Sequence, residues 1–302
     1  MAAEMNLVEL IERFGDEDKC RTYLEALRWP EGVTCPRCDS TKVAHVTTRN
    51  QWSCKANGCG YRFSVRAGTI FQDSKLSLTK WFLAVYIIGE SKKGVSGHQL
   101  SRMLKVTTKT GWFLTHRIRA AMGRADNDGE WLEGTVEVDE TFVGGKQRGR
   151  GRGAYTGNKT IVAGAIERGG DVRFRVIESR DGVALGAFIK DHVSGATTRI
   201  YTDDFAGYKV AGLDRDLHQS VNHSKDEWVR GDVHTNTVEG VWSLLKRSIV
   251  GSYHQLSVKH LPAYLGEIAF RFNNRENPYL FRDTLLALIE TDHLDYATLI
   301  SA

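Results

Sequence analysis

Proline is scarce in this chain, with four residues in 302, and two of them, Pro30 and Pro36, frame one short segment. Long apolar runs are missing. No stretch approaches the roughly 18 apolar residues of a membrane-spanning helix, so no membrane span is expected. There is no internal repeat and no long low-complexity tract. Residues Met1–Leu10 contain Glu4 and Glu9 and lack a basic stretch followed by an apolar one, so no secretory signal is expected there. Cysteine is limited to five residues, an odd number, and four of them form two close pairs. Without a secretion signal, such pairs favour a metal site over disulfides.

What is present is the make-up of a folded protein. The hydrophobic share of 41% and the charged share of 26% are ordinary for a globular chain. At roughly 150 residues per domain, the length predicts about two domains. The net charge of +4, with a pI near 8.7, is mildly basic and compatible with nucleic-acid binding.

The cysteine pairs are Cys35-Pro-Arg-Cys38 and Cys54-Lys-Ala-Asn-Gly-Cys59, separated by fifteen residues. Four thiolates on two turns can surround one zinc ion. Such a site replaces the core that a segment of about thirty residues cannot build alone. Cys20 has no partner in this pattern and is expected in a core.

Residues 5–29 read as a helical lead-in. From Leu78 onward, Trp81, Phe82, Val85 and Ile88 form an apolar helical stripe. Ser96 is a plausible N-cap for a helix whose buried face is Leu100, Met103 and Leu104. A break at Lys105-Val106 leads into a second helix, about Thr108 to Met122. This helix-turn-helix-like pair would put Lys109, Arg117 and Arg119 against a DNA major groove, with His116 on the same helix. Polar residues 125–130 read as a linker.

Four strand-like runs follow, Thr135–Val138, Ile161–Ile166, Val172–Ile177 and Arg199–Tyr201, with a helix over Asp181–Val193. Three strands, a helix and another strand predict a mixed sheet with helices on its faces, an α/β (α+β overall) architecture. Residues Glu239–Asn273 read as mostly helical.

Three acids stand in this region. Asp139 and Asp203 each follow a strand-like run, with 63 residues between them, and Glu239 comes after 35 more at the head of an amphipathic stretch. Carboxylates brought together can hold two divalent cations roughly 4 Å apart, which activate a water or hydroxyl and stabilise a leaving oxygen. Alternation along a strand puts the neighbouring acids Glu140 and Asp204 on the opposite face. His223 and His234 are expected to be structural or to contact phosphate, because Mg²⁺ prefers oxygen. Trp112, Trp228 and Trp242 are expected in the core. Between the first two strands, Lys146, Arg148, Arg150, Arg152 and Lys159 are five cations without an acid among them. Glycines between them let the backbone follow an irregular surface, which suits phosphate contact.

Assembled in order, these segments closely resemble the DDE insertion-sequence transposases of the ISXO-like group. The resemblance runs over Trp29-Pro30-Glu31-Gly32, Cys35-Pro36-Arg37-Cys38, Ala67-Gly68-Thr69-Ile70-Phe71, Val138-Asp139-Glu140-Thr141-Phe142-Val143-Gly144-Gly145-Lys146 and Tyr201-Thr202-Asp203. It continues through Val221-Asn222-His223-Ser224, His234-Thr235-Asn236-Thr237-Val238-Glu239-Gly240-Val241-Trp242, Lys246-Arg247 and Phe270-Arg271-Phe272-Asn273-Asn274-Arg275. It implies a zinc ribbon followed by an RNase H-like catalytic domain that cleaves strands at terminal inverted repeats and transfers the 3′-OH into target DNA, using Mg or Mn. It also implies double-stranded DNA and a homodimer or higher oligomer as partners, and a cytoplasmic, nucleoid-associated location. Asp139 and Asp203 match the first two metal ligands. The third falls on Glu239, with Asn236 as the alternative, since related subgroups use Asn, Glu or His. Lys246, seven residues after Glu239, matches a basic residue two helical turns beyond the third position. The expected domains are 1–72 (helix and zinc ribbon), 73–130 (helical DNA-binding segment and linker) and 131–290 (catalytic), with C-terminal helices to 302. Two other functions fit less of the chain: a non-catalytic DNA-binding protein derived from a transposase, and a zinc-ribbon nuclease without strand transfer.

Overall fold

The computed structural model describes residues 5–127, 131–144 and 159–301. In chain order the elements are α1 (Leu7–Phe14), α2 (Glu17–Arg28), β1 (Val43–Val46), β2 (Gln51–Cys54), β3 (Arg62–Phe63), α3 (Leu78–Gly89), α4 (Gly97–Met103) and α5 (Thr108–Asn127). They continue with β4 (Thr135–Val143), β5 (Thr160–Glu167), β6 (Val172–Ile177), α6 (Gly182–His192), β7 (Arg199–Asp203), α7 (Ala206–Lys209), β8 (His218–Val221), α8 (Asn236–Ser248), α9 (Leu261–Asn273), α10 (Leu280–Glu290) and α11 (Tyr296–Ser301).

The chain divides into two compact units. The first holds residues 1–125 and 276–302, the second 126–275. This corrects the expectation that the C-terminal helices extend the catalytic domain. The reason is an aromatic cluster within the first unit. Phe281 of α10 lies 5.9 Å from Phe14 and 5.6 Å from Phe82, ring centroid to centroid, and Phe14 in turn contacts Tyr23. Offset and edge-on ring pairs of this kind add to the burial of their area.

The lead-in is two helices rather than one. Asp16 interrupts it as an N-cap, its side chain accepting from the N–H groups of Asp18 and Lys19. Strands β1, β2 and β3 form a small antiparallel sheet. Ser96 caps α4 as expected, accepting from the N–H of Gln99. Lys105 takes a positive φ of 49° at the break before α5. The two helices cross closely because both contact points are glycine. A Cβ on Gly97 would lie 2.7 Å from Trp112 Cα, and one on Gly111 would lie 2.6 Å from the Gly97 carbonyl oxygen. Leu100 and Leu104 are buried, but Met103 is 55% exposed, contrary to its expected place on the buried face.

The second unit is built on a five-stranded mixed sheet in the order β6-β5-β4-β7-β8. β4, β5 and β6 pair antiparallel, and β7 and β8 run parallel to β4. This is a mixed sheet with helices on both faces, as the sequence pattern predicts. One face carries Val136, Val138, Ala163 and Ala165 against Leu185, Phe188 and Ile189 of α6. The other carries Val162, Ile166 and Val172 against Val238, Val241, Trp242 and Leu245 of α8 and Leu265 and Ile268 of α9. Each fully buried side chain of this size contributes about 1.5–3 kcal/mol, which holds α8 on the sheet against the entropy of ordering it. Strand β8 has no apolar alternation in its sequence, His-Gln-Ser-Val, and was not anticipated.

Candidate metal and nucleic-acid site

Strand alternation decides which acids meet. On β4, Glu137, Asp139 and Thr141 point to the α8 face, while Val136 and Val138 point to the α6 face. β7 pairs parallel with β4 so that Tyr201 lies beside Glu137. Asp203 and Asp139 each stand two residues further along, on the same face of neighbouring strands, which run about 4.8 Å apart. β4 is longer than its apolar run, reaching Val143, so Asp139 lies inside the strand rather than at its end.

A cleft of about 650 Å³ opens at this point. It is lined by Asp139, Asp203, Glu239 and Lys246, four of the five expected catalytic positions. Along α8, Glu239, Trp242, Ser243 and Lys246 share the lining face, with Arg247 beside them and Val250 just beyond the helix end. Asn236 is not among the lining residues. It is exposed at the first position of α8.

Burial raises the carboxyl of Asp139 to about 7, with the charges of Glu140 and Asp203 adding to the effect. The Trp242 indole opposes it by donating Nε1–H to Asp139 Oδ2 at 2.8 Å. Asp203 is also raised by burial, and the Phe205 N–H, donating at 3.0 Å, pulls it back. Glu239 is more open, its side chain 46% exposed, with Thr235 Oγ1 donating to Oε1 at 3.2 Å and His223 Nε2 at 4.0 Å. Burial and neighbouring negative charge thus both oppose ionisation of Asp139, and burial opposes that of Asp203.

The neighbouring acids have other partners. Asp204 is held by Lys209 at 2.8 Å and by the Asn222 amide at 2.8 Å. Glu140 accepts from Tyr208 Oη at 2.9 Å and pairs with Arg180 at 3.6 Å, yet it also borders the cleft.

Glu137 is the site residue that sequence reasoning missed. It is fully buried. Its Oε2 accepts the N–H groups of Thr237 and Val238, and its Oε1 accepts from Thr237 Oγ1 and Arg168 Nε. His234 Nδ1 lies 3.2 Å from the same carboxylate. A helix normally has its first N–H groups satisfied by its own cap. Here Thr235 makes no side-chain cap bond, and a strand residue serves instead. Asn236 is the first residue of the helix and not its cap. The signal was an acid two positions before Asp139 in an otherwise apolar strand, which alternation places on the same face.

The basic positions divide three ways. Lys146, Arg148, Arg150 and Arg152 lie outside the described residues; Lys159 is half-buried just before β5. Lys109 is exposed, its Nζ 4.2 Å over the Tyr296 ring. Arg117 and Arg119 are buried, which corrects their assignment to a DNA-facing surface. Arg117 Nε donates to the Leu294 carbonyl, and Arg119 donates to Thr115 Oγ1 and the Val95 carbonyl. They lie on different sides of α5, Arg117 toward the segment before α11 and Arg119 toward the turn before α4. His116 is buried too. Of the tryptophans, Trp242 is buried as expected and Trp112 is half-buried, but Trp228 is 55% exposed, its ring tilted against His223 with centroids 4.5 Å apart.

The four paired cysteines converge within the first unit. Their sulfurs all lie within 4.8 Å of one another, with Cys35–Cys59 at 3.8 Å and Cys38–Cys54 at 3.7 Å. A tetrahedron with Zn–S near 2.3 Å has edges of about 3.8 Å, so the donor set fits zinc. Around it only Cys35, Cys54 and Phe63 are fully buried, a core too small to stand alone. Cys20 is apart, buried, its thiol pushed up to about 12 by burial and then by Glu17 and Asp16.

Residues 131–273 match the ISXO2-like transposase domain, and residues 15–62 match a transposase zinc-ribbon domain. A Halobacterium salinarum protein described as an uncharacterized protein in transposable element ISH50 is 30% identical, over 93% of this chain and 98% of its own length. The solved Mos1 strand transfer complex is 12% identical with a TM-score of 0.28, over 69% of this chain and 75% of that one. Among the described residues no helix is long and apolar enough to cross a membrane. With a relative matched nearly end to end and both segments recognised in their expected order, the chain belongs to the ISXO2-like transposase family.

Proposed function

We propose that the cleft is the catalytic site of an active transposase, which cleaves DNA strands at the ends of its element and joins the freed 3′-OH to target DNA. The convergence of Asp139, Asp203, Glu239 and Lys246 in one cleft carries the proposal. Divalent cations, Mg²⁺ or Mn²⁺, would supply activation of the attacking oxygen and stabilisation of the leaving one. Asp139 and Asp203 present their oxygens from two adjacent strands, and Glu239 closes the set from the first turn of α8. Lys246 and Arg247, about two turns on, offer charge-assisted hydrogen bonds to the non-bridging oxygens of a phosphate. The basic positions 146–159 follow β4 in the sequence and would extend phosphate contact along double-stranded DNA. Cutting both element ends calls for at least two copies of the chain on the DNA, and the work would be done in the nucleoid.

In the N-terminal unit, Cys35, Cys38, Cys54 and Cys59 would hold one structural Zn²⁺. A non-catalytic DNA-binding derivative is the alternative, and clustered carboxylates speak against it. Acids beside phosphates weaken plain binding.

The test is strand cleavage and joining on element-end DNA by Asp139→Ala and Asp203→Ala. Both are expected to lose Mg²⁺-dependent cleavage and to keep DNA binding, because removing an anionic ligand does not reduce attraction to phosphates. Cleavage at the wild-type rate in either variant would defeat the assignment. Nicked donor without joined product in the wild type would reduce the activity to that of a nuclease.

A further inference from the structure

We propose that Trp242 is a positioning residue for Asp139 and that Gly164 exists to make room for it. The inference rests on reading the cleft as a divalent-cation site.

Trp242 is 4% exposed, yet it borders the cleft beside Glu239 and Lys246 on the lining face of α8. Its only polar atom, Nε1–H, is a donor and nothing else. It donates to Asp139 Oδ2 at 2.8 Å. The rotation of a carboxylate about its last bond is soft and roughly two-fold. A fixed donor on one oxygen sets the plane of that carboxylate and hence the direction in which it offers its remaining lone pairs.

The indole reaches Asp139 by crossing the neighbouring strand. Gly164 of β5 is the ladder partner of Asp139. A Cβ at position 164 would lie 2.4 Å from Trp242 Cη2 and 2.7 Å from Cζ2, closer than real Cβ contacts. Phe174, the partner of Gly164 on β6, backs the indole with ring centroids 5.4 Å apart. Strand, glycine and aromatic ring thus hold the N–H at one place. A tryptophan needed only for packing would not require a bare Cα beneath it with its N–H aimed at a cleft acid. Outer groups that orient ligands in this way typically change metal affinity 10–100-fold when lost.

Two variants from different strands of the argument follow. Trp242→Phe keeps the apolar ring and removes the donor. Gly164→Ala changes the identity of no cleft-lining residue but pushes the Trp242 indole aside. Mn²⁺ binding to the full zinc-loaded chain, read by electron paramagnetic resonance without DNA or turnover, is expected to weaken about tenfold or more in both. The Trp242→Phe melting temperature should stay near wild type, and its DNA binding without metal should be unchanged. Folded Trp242→Phe protein that binds Mn²⁺ like wild type would overturn the proposal. Should Gly164→Ala fail to fold, Trp242→Phe decides alone. Asp139→Asn separates the two levels: if it leaves Mn²⁺ binding intact, the cation-site reading falls; if it loses binding while Trp242→Phe does not, only the positioning role falls.

Discussion

The carboxylate of Glu137, inside strand β4, accepts the backbone N–H of Val238, in the first turn of α8, at 3.0 Å. One strand therefore carries both Asp139 and the anchor of the helix that bears Glu239. This bond helps to fix the position of Glu239 relative to Asp139, with Thr237, Arg168 and His234 completing the shell around Glu137. The negative charge also sits where the positive end of the helix dipole favours it.

Glu137→Ala is expected to lower the stability of the second unit by about 3–5 kcal/mol, the cost of leaving the half-buried Arg168 and the helix N–H groups without their acceptor. For a unit of this size each kcal/mol shifts the melting midpoint by roughly 2–4 °C. Glu137→Gln should cost less, because an amide oxygen still accepts. Thermal unfolding checks both, and an unmoved midpoint in Glu137→Ala would mean that α8 is anchored elsewhere.

Glu239→Gln is expected to lose cleavage more than about tenfold while retaining DNA binding, since a neutral amide no longer offsets cation charge. Asn236→Ala should cleave normally, because Asn236 is exposed and does not line the cleft. Single-turnover cleavage decides between them. Loss in Asn236→Ala alone would transfer the third position to it, and loss in both would mean that they share it.

Zinc should be found at about one per chain and be absent from Cys38→Ser, as read by metal analysis of purified protein. A strong chelator should unfold the β1–β3 sheet, because binding energy of about 10–16 kcal/mol is folding energy in such a site. A fully folded metal-free ribbon would contradict the structural role.

Acid should weaken the second unit through His192. Its Nε2 is buried without a hydrogen-bond partner. Burial first, then the charges of Arg175 and Arg173, lower the imidazole from 6.5 to about 4. Between these values the unfolded chain takes up a proton that the folded one refuses. Stability is therefore intact above pH 6.5, falls as pH drops toward 4 and then levels off, a loss of about 1–3 kcal/mol for a half-buried group. Denaturant unfolding across this window should show a shallower pH slope for His192→Phe than for wild type; equal slopes would assign the acid sensitivity to other groups.

Much of this was legible in the chain itself. The cysteine spacing announced the ribbon, because ligand geometry demands short local turns. Period-two and near-four patterns announced four of the five strands of the sheet that bears Asp139 and the helices α6 and α8. The spacing of Glu239, Trp242, Ser243 and Lys246 placed them on one helical face, and all four line the cleft. These features are local, and local backbone geometry is written in consecutive residues.

What tertiary structure alone decided concerns long-range partners. Arg117 and Arg119 look like surface cations in sequence, but the carbonyls of Leu294 and Val95 make them interior ones. Glu137 looks like one more strand acid until α8, a hundred residues later, arrives on its carboxylate. Gly164 gains meaning only when Trp242 lies across it. The C-terminal helices joined the first unit because Phe281 found Phe14 and Phe82. In each case the residue type permits several environments at similar cost, and the choice is made by whichever distant element packs there, since burial and hydrogen bonding depend on neighbours in space.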